Sequence, residues 1–220
     1  MMLTFRVLAA LLAYPETELV EALDEAAEII VGEGLIPSPE ITALIGLIEH
    51  LRDDDLLNAQ ERHVALFERR RSVSLHLYEH VHGESRDRGQ AMVRLAQLYR
   101  VHGLEIAAHE LPDYLPLYLE FLSVLPPAAA RRFLGEALPL ISAIGGRLRE
   151  WGSPYAAIFE ALVAIAGAHP PAKMALPTDD GDPVALDQAW EEQEVSFAGA
   201  APPELEAFSP YRASPAPLRS

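Results

Sequence analysis

No cysteine occurs among the 220 residues. That single absence excludes disulfides, thiolate metal sites and cysteine-held iron–sulfur clusters, and it fits a protein of the reducing cytoplasm. Positive charge is scarce: 17 Lys and Arg stand against 33 Asp and Glu, a net charge of -16 with a pI near 4.8. Such a chain does not bind nucleic acid through its phosphates, because the electrostatic contribution has the wrong sign. An anionic membrane surface is disfavoured for the same reason, whereas a basic partner would be attracted at long range. Long apolar runs are also missing. Met1–Ala13 is apolar except for Arg6, but it is too short to span a bilayer, has no basic region ahead of it and leads into Tyr14-Pro15 without an A-x-A cleavage signal. Residues 137–146 and 161–168 are too short as well. The first of these stretches is expected to be a buried helix, and no membrane span is expected. Ser72, Ser74 and Ser85 lack a G-x-S-x-G setting, and Gly145-Gly146 stands alone without a phosphate loop. No catalytic residue and no cofactor is therefore assigned, and the expectation is that the protein is not an enzyme.

Hydrophobic residues make up 50% and charged residues 23% of the chain, so a core can form. Nine of the 18 prolines lie beyond His169, together with Asp179, Asp180, Asp182, Asp187, Glu191, Glu192, Glu194, Glu204 and Glu206. A stretch this rich in proline and acid cannot repay the entropy of ordering. The expected organisation is a domain over residues 1–168 and a mostly disordered acidic tail over 169–220. Leu186, Trp190, Val195 and Phe197 mark a docking segment, 186–197, inside that tail. Within the domain the apolar period is helical, with no run of alternating β-branched residues. Thr17 opens a helix through Leu19, Leu23 and Ile30 that ends at Gly32 or Gly34. Ser38-Pro39-Glu40 has the form of a helix start and leads into Ile41, Leu44, Ile45, Ile48 and Leu51 on one face. Further helices carry Leu56, Leu57, His63, Val64 and Phe67; run from Ser74 to Gly83; carry Met92, Leu95, Leu98 and Tyr99 up to Gly103; and open at Ser153-Pro154 with Ile158, Leu162 and Ile165. The fold class is all-α: a single compact multi-helix bundle with a disordered tail.

Two segments carry the chemistry. FERRRSVSLHLYEHVHGESRDRGQAM, residues 67–92, holds Arg69, Arg70, Arg71, His76, His80, His82 and a polar loop. His76 and His80 are four apart, the spacing that places two metal ligands on one helix face, with Glu79 between them. The H-E-x-x-H order is absent and no further ligand is marked; histidines at polar core edges and arginines paired with carboxylates have the same sequence signature. The second segment, ELPDYLPLYLEFLSVL, residues 110–125, should begin a helix near Asp113 after Pro112. Seven-residue spacing then places Asp113, Leu117 and Glu120 on one stripe, its carboxylates about 10 Å apart, flanked by Tyr114, Phe121 and Leu125. That stripe suits an amphipathic peptide carrying basic groups. Asp113 as a simple N-cap and the aromatics as core fit the same pattern.

These segments carry a resemblance. LAALLAYPETEL (residues 8–19), RSVSLHLYEHVHGESRDRGQAM (71–92) and ELPDYLPLYLEFLSVLP (110–126) closely resemble the nitrate reductase delta-subunit family of NarJ-type molybdenum cofactor assembly chaperones. The resemblance covers nearly the whole domain. It implies an all-α fold of the wider group of twin-arginine leader-binding chaperones, and a protein absent from the finished reductase. It further implies binding to the N-terminal segment of the catalytic (alpha) subunit, which is held ready for molybdenum cofactor and iron–sulfur insertion before membrane docking. Glu110, Pro112 and Asp113 match the wider group's groove motif, while Tyr114 stands where a histidine is more usual, so a role needing an imidazole is not carried over. The candidate client-binding residues are Glu110, Asp113, Tyr114, Leu117, Glu120 and Phe121, with Arg71, His76, Tyr78 and His80 from the first segment. Two alternatives stay open on the residues alone: a helical metal-dependent hydrolase using His76 and His80, and a helical scaffold with another peptide partner.

Overall fold

The chain has a computed structural model, which describes residues 1–82, 86–106, 110–167 and 176. Its centre is the apolar N-terminal stretch. Helix α1 (Leu3–Leu12) buries Phe5, Leu8, Leu11 and Leu12 completely. The first N–H groups of a helix have no acceptor within it, and Glu33 supplies one to α1 from a distance. The Glu33 carboxylate accepts from the N–H of Leu3 at 2.9 Å and of Thr4 at 2.6 Å. Burial raises the Glu33 pKa, but these bonds and the N-terminal ammonium outweigh it and hold the acid below its ordinary range.

The single helix expected from Thr17 is two: α2 (Thr17–Glu21) and α3 (Leu23–Glu33), parted where Ala22 leaves the helical region at φ -92°, ψ 0°. Thr17 is the first helical residue, not a side-chain cap. Gly32 lies inside α3, which ends at Gly34 with φ +65°, a left-handed conformation that favours glycine. Helix α4 (Ser38–Asp53) takes Pro39 into its first turn and buries Leu44, Leu47, Ile48 and Leu51. Helix α5 (Leu56–His63) continues into a π-helical turn, Val64–Glu68, and its Leu57 is largely exposed. The turn seats Phe67 edge-on against Tyr155, with ring centroids 5.1 Å apart.

Helices α6 (Leu77–His82) and α7 (Arg86–Val101) follow, and α7 buries Leu95 and Tyr99 as its stripe requires. Helix α8 (Leu115–Val124) packs on α1. The 24-residue α9 (Pro127–Glu150) runs through Pro139, whose missing N–H cannot bond the carbonyl of Gly135. Helix α10 (Ala156–Ala166) lies against α9 and α4 and ends at Gly167, φ +65°. Among the described residues the only β-type pairing is a single antiparallel bridge, His76 with Tyr114. The expected docking segment 186–197 and nearly all of the expected tail lie outside the described residues; only Leu176 in that stretch is described, half-buried against the core.

Candidate functional site

The two segments singled out by their residues meet at that bridge. His76 stands ahead of α6 in a bridge, not in a helix, and the chain around it runs antiparallel to that around Tyr114. The N–H of Leu77 donates to the Asp113 carbonyl at 2.9 Å, and the N–H of Leu115 donates to the Leu75 carbonyl at 2.8 Å. Helix α6 thus begins at Leu77, three residues later than expected. Tyr99 fixes the other side: its hydroxyl donates to the Pro112 carbonyl at 2.8 Å.

Asp113 sits in the middle, fully buried. One carboxylate oxygen accepts from the Tyr78 N–H at 3.1 Å and lies 3.5 Å from Arg88, while the other lies 3.5 Å from His76 Nδ1. Burial pushes the Asp113 pKa up, but His76, the Tyr78 N–H and Arg88 together prevail and hold it below the usual carboxylate range. Glu79 extends the network, accepting from the Ser74 hydroxyl at 2.6 Å and from Arg88 at 3.3 Å. His80 is buried and its Nε2 donates to the Ser74 carbonyl at 2.8 Å; burial pulls its pKa down, offset in part by that carbonyl and by Glu79 and Asp113.

The sequence expectation for this region needs two corrections. Asp113 does not share a helical stripe with Glu120: it precedes α8, whose first residue is Leu115, and its side chain is enclosed. Phe121 is likewise fully buried, packed against Tyr99 and Phe133 with centroids 4.9 and 5.6 Å apart. Neither side chain is presented at the surface. His76 and His80 engage different partners, Asp113 and the Ser74 carbonyl, and among the described residues no group of three or more His, Cys, Asp or Glu is arranged to hold a metal.

The remaining expected residues stay at the surface. Glu110, Glu120 and Arg71 are exposed; Tyr114, Leu117, His76 and Tyr78 are half-buried. Glu120 senses Glu110: burial raises the Glu120 pKa, Glu110 raises it further, and Arg6 opposes both. Tyr114 is pushed up to about 12 by burial and then by Glu110 and Glu68. An acidic surface around Tyr114 and Leu117 thus exists, but its second carboxylate is Glu110 and not Asp113. Arg88 was missed as a partner of Asp113, and Ser74 and Glu79 as members of the network behind it, although all three stand in the same conspicuous run; nothing in linear spacing ties them to residue 113.

A second feature had no sequence signal at all. A groove of about 440 Å³ opens between α7 and α9, floored by Tyr118, Leu95 and Leu140 and bordered by Arg94 and Glu136.

The helix arrangement is a known fold. It matches the crystal structure of a candidate redox enzyme maturation protein from Archaeoglobus fulgidus with a TM-score of 0.56 at 20% identity, over 76% of this chain and 94% of that one. Residues 36–161 match the family described as nitrate reductase delta subunit, and the chain belongs to that family. It is 40% identical over 201 residues to the nitrate reductase molybdenum cofactor assembly chaperone NarJ of Escherichia coli K12, covering 89% of this chain and 85% of the relative. It is 39% identical over 203 residues to that strain's probable nitrate reductase molybdenum cofactor assembly chaperone NarW, covering 87% and 82%.

Proposed function

We propose that this protein is a cytoplasmic assembly chaperone for a nitrate reductase, not an enzyme. It binds the N-terminal segment of the catalytic subunit and keeps that subunit competent for insertion of molybdenum cofactor and an iron–sulfur cluster before membrane docking. The near full-length identity to a chaperone of that name carries the reading. The client's basic groups meet Glu110 and Glu120, and its apolar face meets Tyr114 and Leu117. Arg71, His76 and Tyr78 border this surface from the first segment. Asp113, Phe121 and His80 act from beneath, holding residues 75–77 against 113–115 so that the surface keeps its shape.

The test is calorimetric titration of the full chain with a peptide of the catalytic subunit's N-terminus at low and moderate salt. Specific binding that weakens as salt rises is expected. Glu110→Gln with Glu120→Gln should lower affinity by about 1 kcal/mol, since screened surface charges contribute a few tenths to 1 kcal/mol each, and should flatten the salt dependence. No binding by a folded protein at either salt overturns the client assignment. Binding indifferent to both substitutions overturns the acidic contact alone.

A further inference from the structure

The end of α9 turns an aromatic ring toward solvent and backs it with cations. Trp151 is the C-cap of α9 and remains 37% exposed. Its backbone is fixed. Gly152 follows at φ +66°, its N–H donates to the Arg149 carbonyl at 2.9 Å, and the Ser153 N–H donates to the Leu148 carbonyl at 2.9 Å. This paired closure ends a helix at a left-handed glycine. The Arg70 guanidinium lies over the indole, 4.6 Å from the ring centroid, and that of Arg147 lies 5.9 Å away. Arg70 arrives from elsewhere in the chain, just ahead of a 3-10 turn, Arg71–Val73. Ser72 and Val73 of that turn are buried, and the Val73 N–H donates to the Arg70 carbonyl at 3.3 Å. Ring and cation are thus each held by a closed turn.

Part of the charge here serves the helix itself. Arg147 and Arg149 stand in the last turn of α9, where free carbonyls favour cations. Each also has an acid: Arg147 lies 3.7 Å from Glu150, and Arg149 pairs with Glu160 at 2.6 Å. Arg69 and Arg70 serve neither purpose. Both are exposed, and among the described residues no carboxylate lies within ion-pair distance of either, although Glu68 precedes them in the chain. Acids outnumber Lys and Arg by 33 to 17, so partners are plentiful, yet the fold keeps them away from this pair. A guanidinium stacked on a ring keeps N–H edges free for a planar acceptor such as a carboxylate.

From the ring, the two cations and the fixed backbone beneath them we infer that Trp151, Arg70 and Arg69 form a docking surface for an acidic peptide segment of a protein partner. Carboxylates of that segment meet Arg69 and Arg70, and an apolar side chain beside them covers the open part of the indole. A small free anion would meet only solvated cations and leave the indole bare, so the peptide makes the fuller use of the surface. Tryptophan and arginine are the residue types that carry most of the binding energy at protein interfaces, and groups ordered beforehand lose less freedom on binding. The net charge of -16 opposes the approach of any acidic partner. At an ionic strength of about 0.15 M, however, charges act over only about 8 Å. Distant carboxylates are then screened, while direct contacts with Arg69 and Arg70 persist. This occupant is opposite in charge to the basic client segment assigned to Glu110 and Glu120, so the two surfaces are independent.

The experiment uses the full chain with Trp190→Phe, leaving Trp151 as the sole tryptophan. A synthetic peptide rich in glutamate and leucine is titrated in at about 0.15 M salt, with inorganic phosphate as the parallel probe. Docking predicts a saturable change in Trp151 emission with the peptide and none with phosphate. Calorimetry then compares variants in the otherwise native chain. Arg70→Lys keeps the charge but loses the planar fork and the stack, so affinity falls several-fold. Arg69→Ala with Arg70→Ala removes both charges and lowers affinity by about tenfold or more; both positions are exposed, so the fold is retained. No saturable response to the peptide from the folded protein overturns the proposal. Affinity indifferent to the double substitution places the peptide elsewhere and overturns the seat. A saturable response to phosphate that depends on Arg70 and displaces the peptide assigns the surface to a small anion and overturns the peptide as its occupant.

Discussion

Asp113 joins two parts of the chain that sequence distance separates. Its carboxylate is the shared acceptor for the start of α6 and for Arg88 of α7, while its own backbone carbonyl holds Leu77. Its pKa is depressed: burial raises it, and His76, the Tyr78 N–H and Arg88 outweigh burial. The stability it contributes is therefore complete above its unfolded pKa near 3.9 and is lost as pH falls through the lower folded value. Asp113→Asn keeps an oxygen for the Tyr78 N–H but leaves His76 without its carboxylate and Arg88 with Glu79 alone, so it should cost about 1–3 kcal/mol at pH 7. Urea unfolding at pH 7 and again near pH 3 checks this: the gap between wild type and variant should shrink at the lower pH, and a constant gap would refute the ionic role. The residue was visible in the sequence as part of Glu110-Leu-Pro-Asp113, but its position was not. Two prolines suggested a helix starting at 113, whereas Pro116 already occupies the first turn of α8, and residues 113–115 pair with 75–77 instead. That pairing spans nearly forty residues and leaves no trace in local periodicity.

Among the elements, α9 and α10 pack tightly at Gly145. A Cβ added there would lie 2.6 Å from the Cβ of Phe159, whereas one added at Gly146 meets nothing within 4 Å. Neighbouring glycines in one helix should therefore respond with opposite sign. Gly145→Ala forces the two helices apart and should destabilise by about 1–3 kcal/mol, and Gly146→Ala should stabilise by about 0.5–1 kcal/mol through helix propensity. Thermal or urea midpoints of the two variants decide it, and equal shifts would mean that the close packing at Gly145 is not retained in solution. Helices with a clean apolar stripe and a proline or glycine boundary, α4, α7 and α10, were legible from residue types alone. The break at Ala22 and the π-helical turn after His63 were not, because neither is marked by a proline or glycine. Residues 137–146 read only as an apolar run too short to cross a membrane; they are the middle of α9, whose interior Pro139 disguises a continuous helix.

Across the whole molecule, acidity acts through histidines as well as carboxylates. His63 is buried under Tyr14, Phe67 and Tyr155, with its Nε2 2.9 Å from the Leu12 carbonyl at the end of α1. Burial pulls its pKa down, and that carbonyl and Glu68 offset only part of the effect. His80 follows the same pattern at the other end of the site network. Two imidazoles that bind protons less readily when folded give the unfolded chain the larger proton count below about pH 6.5. Stability should accordingly fall as pH drops from above 6.5 through the folded values of these histidines, level off, and fall again below about pH 4 as Asp113 and Glu33, both depressed, take up protons. Glu120 opposes this weakly: burial and Glu110 raise its pKa, so its contribution is present at low pH and lost as pH rises through its folded value, but it is exposed. Acidification also relieves the self-repulsion of a -16 chain, which works against the decline. The double variant His63→Gln with His80→Gln separates the two influences, since it keeps the surface charge pattern at pH 7 and removes the buried titrations. Urea unfolding from pH 8 to pH 5 should show a fall for the wild type and a flat or rising profile for the double variant; parallel profiles would mean that the buried imidazoles do not set the response to acid.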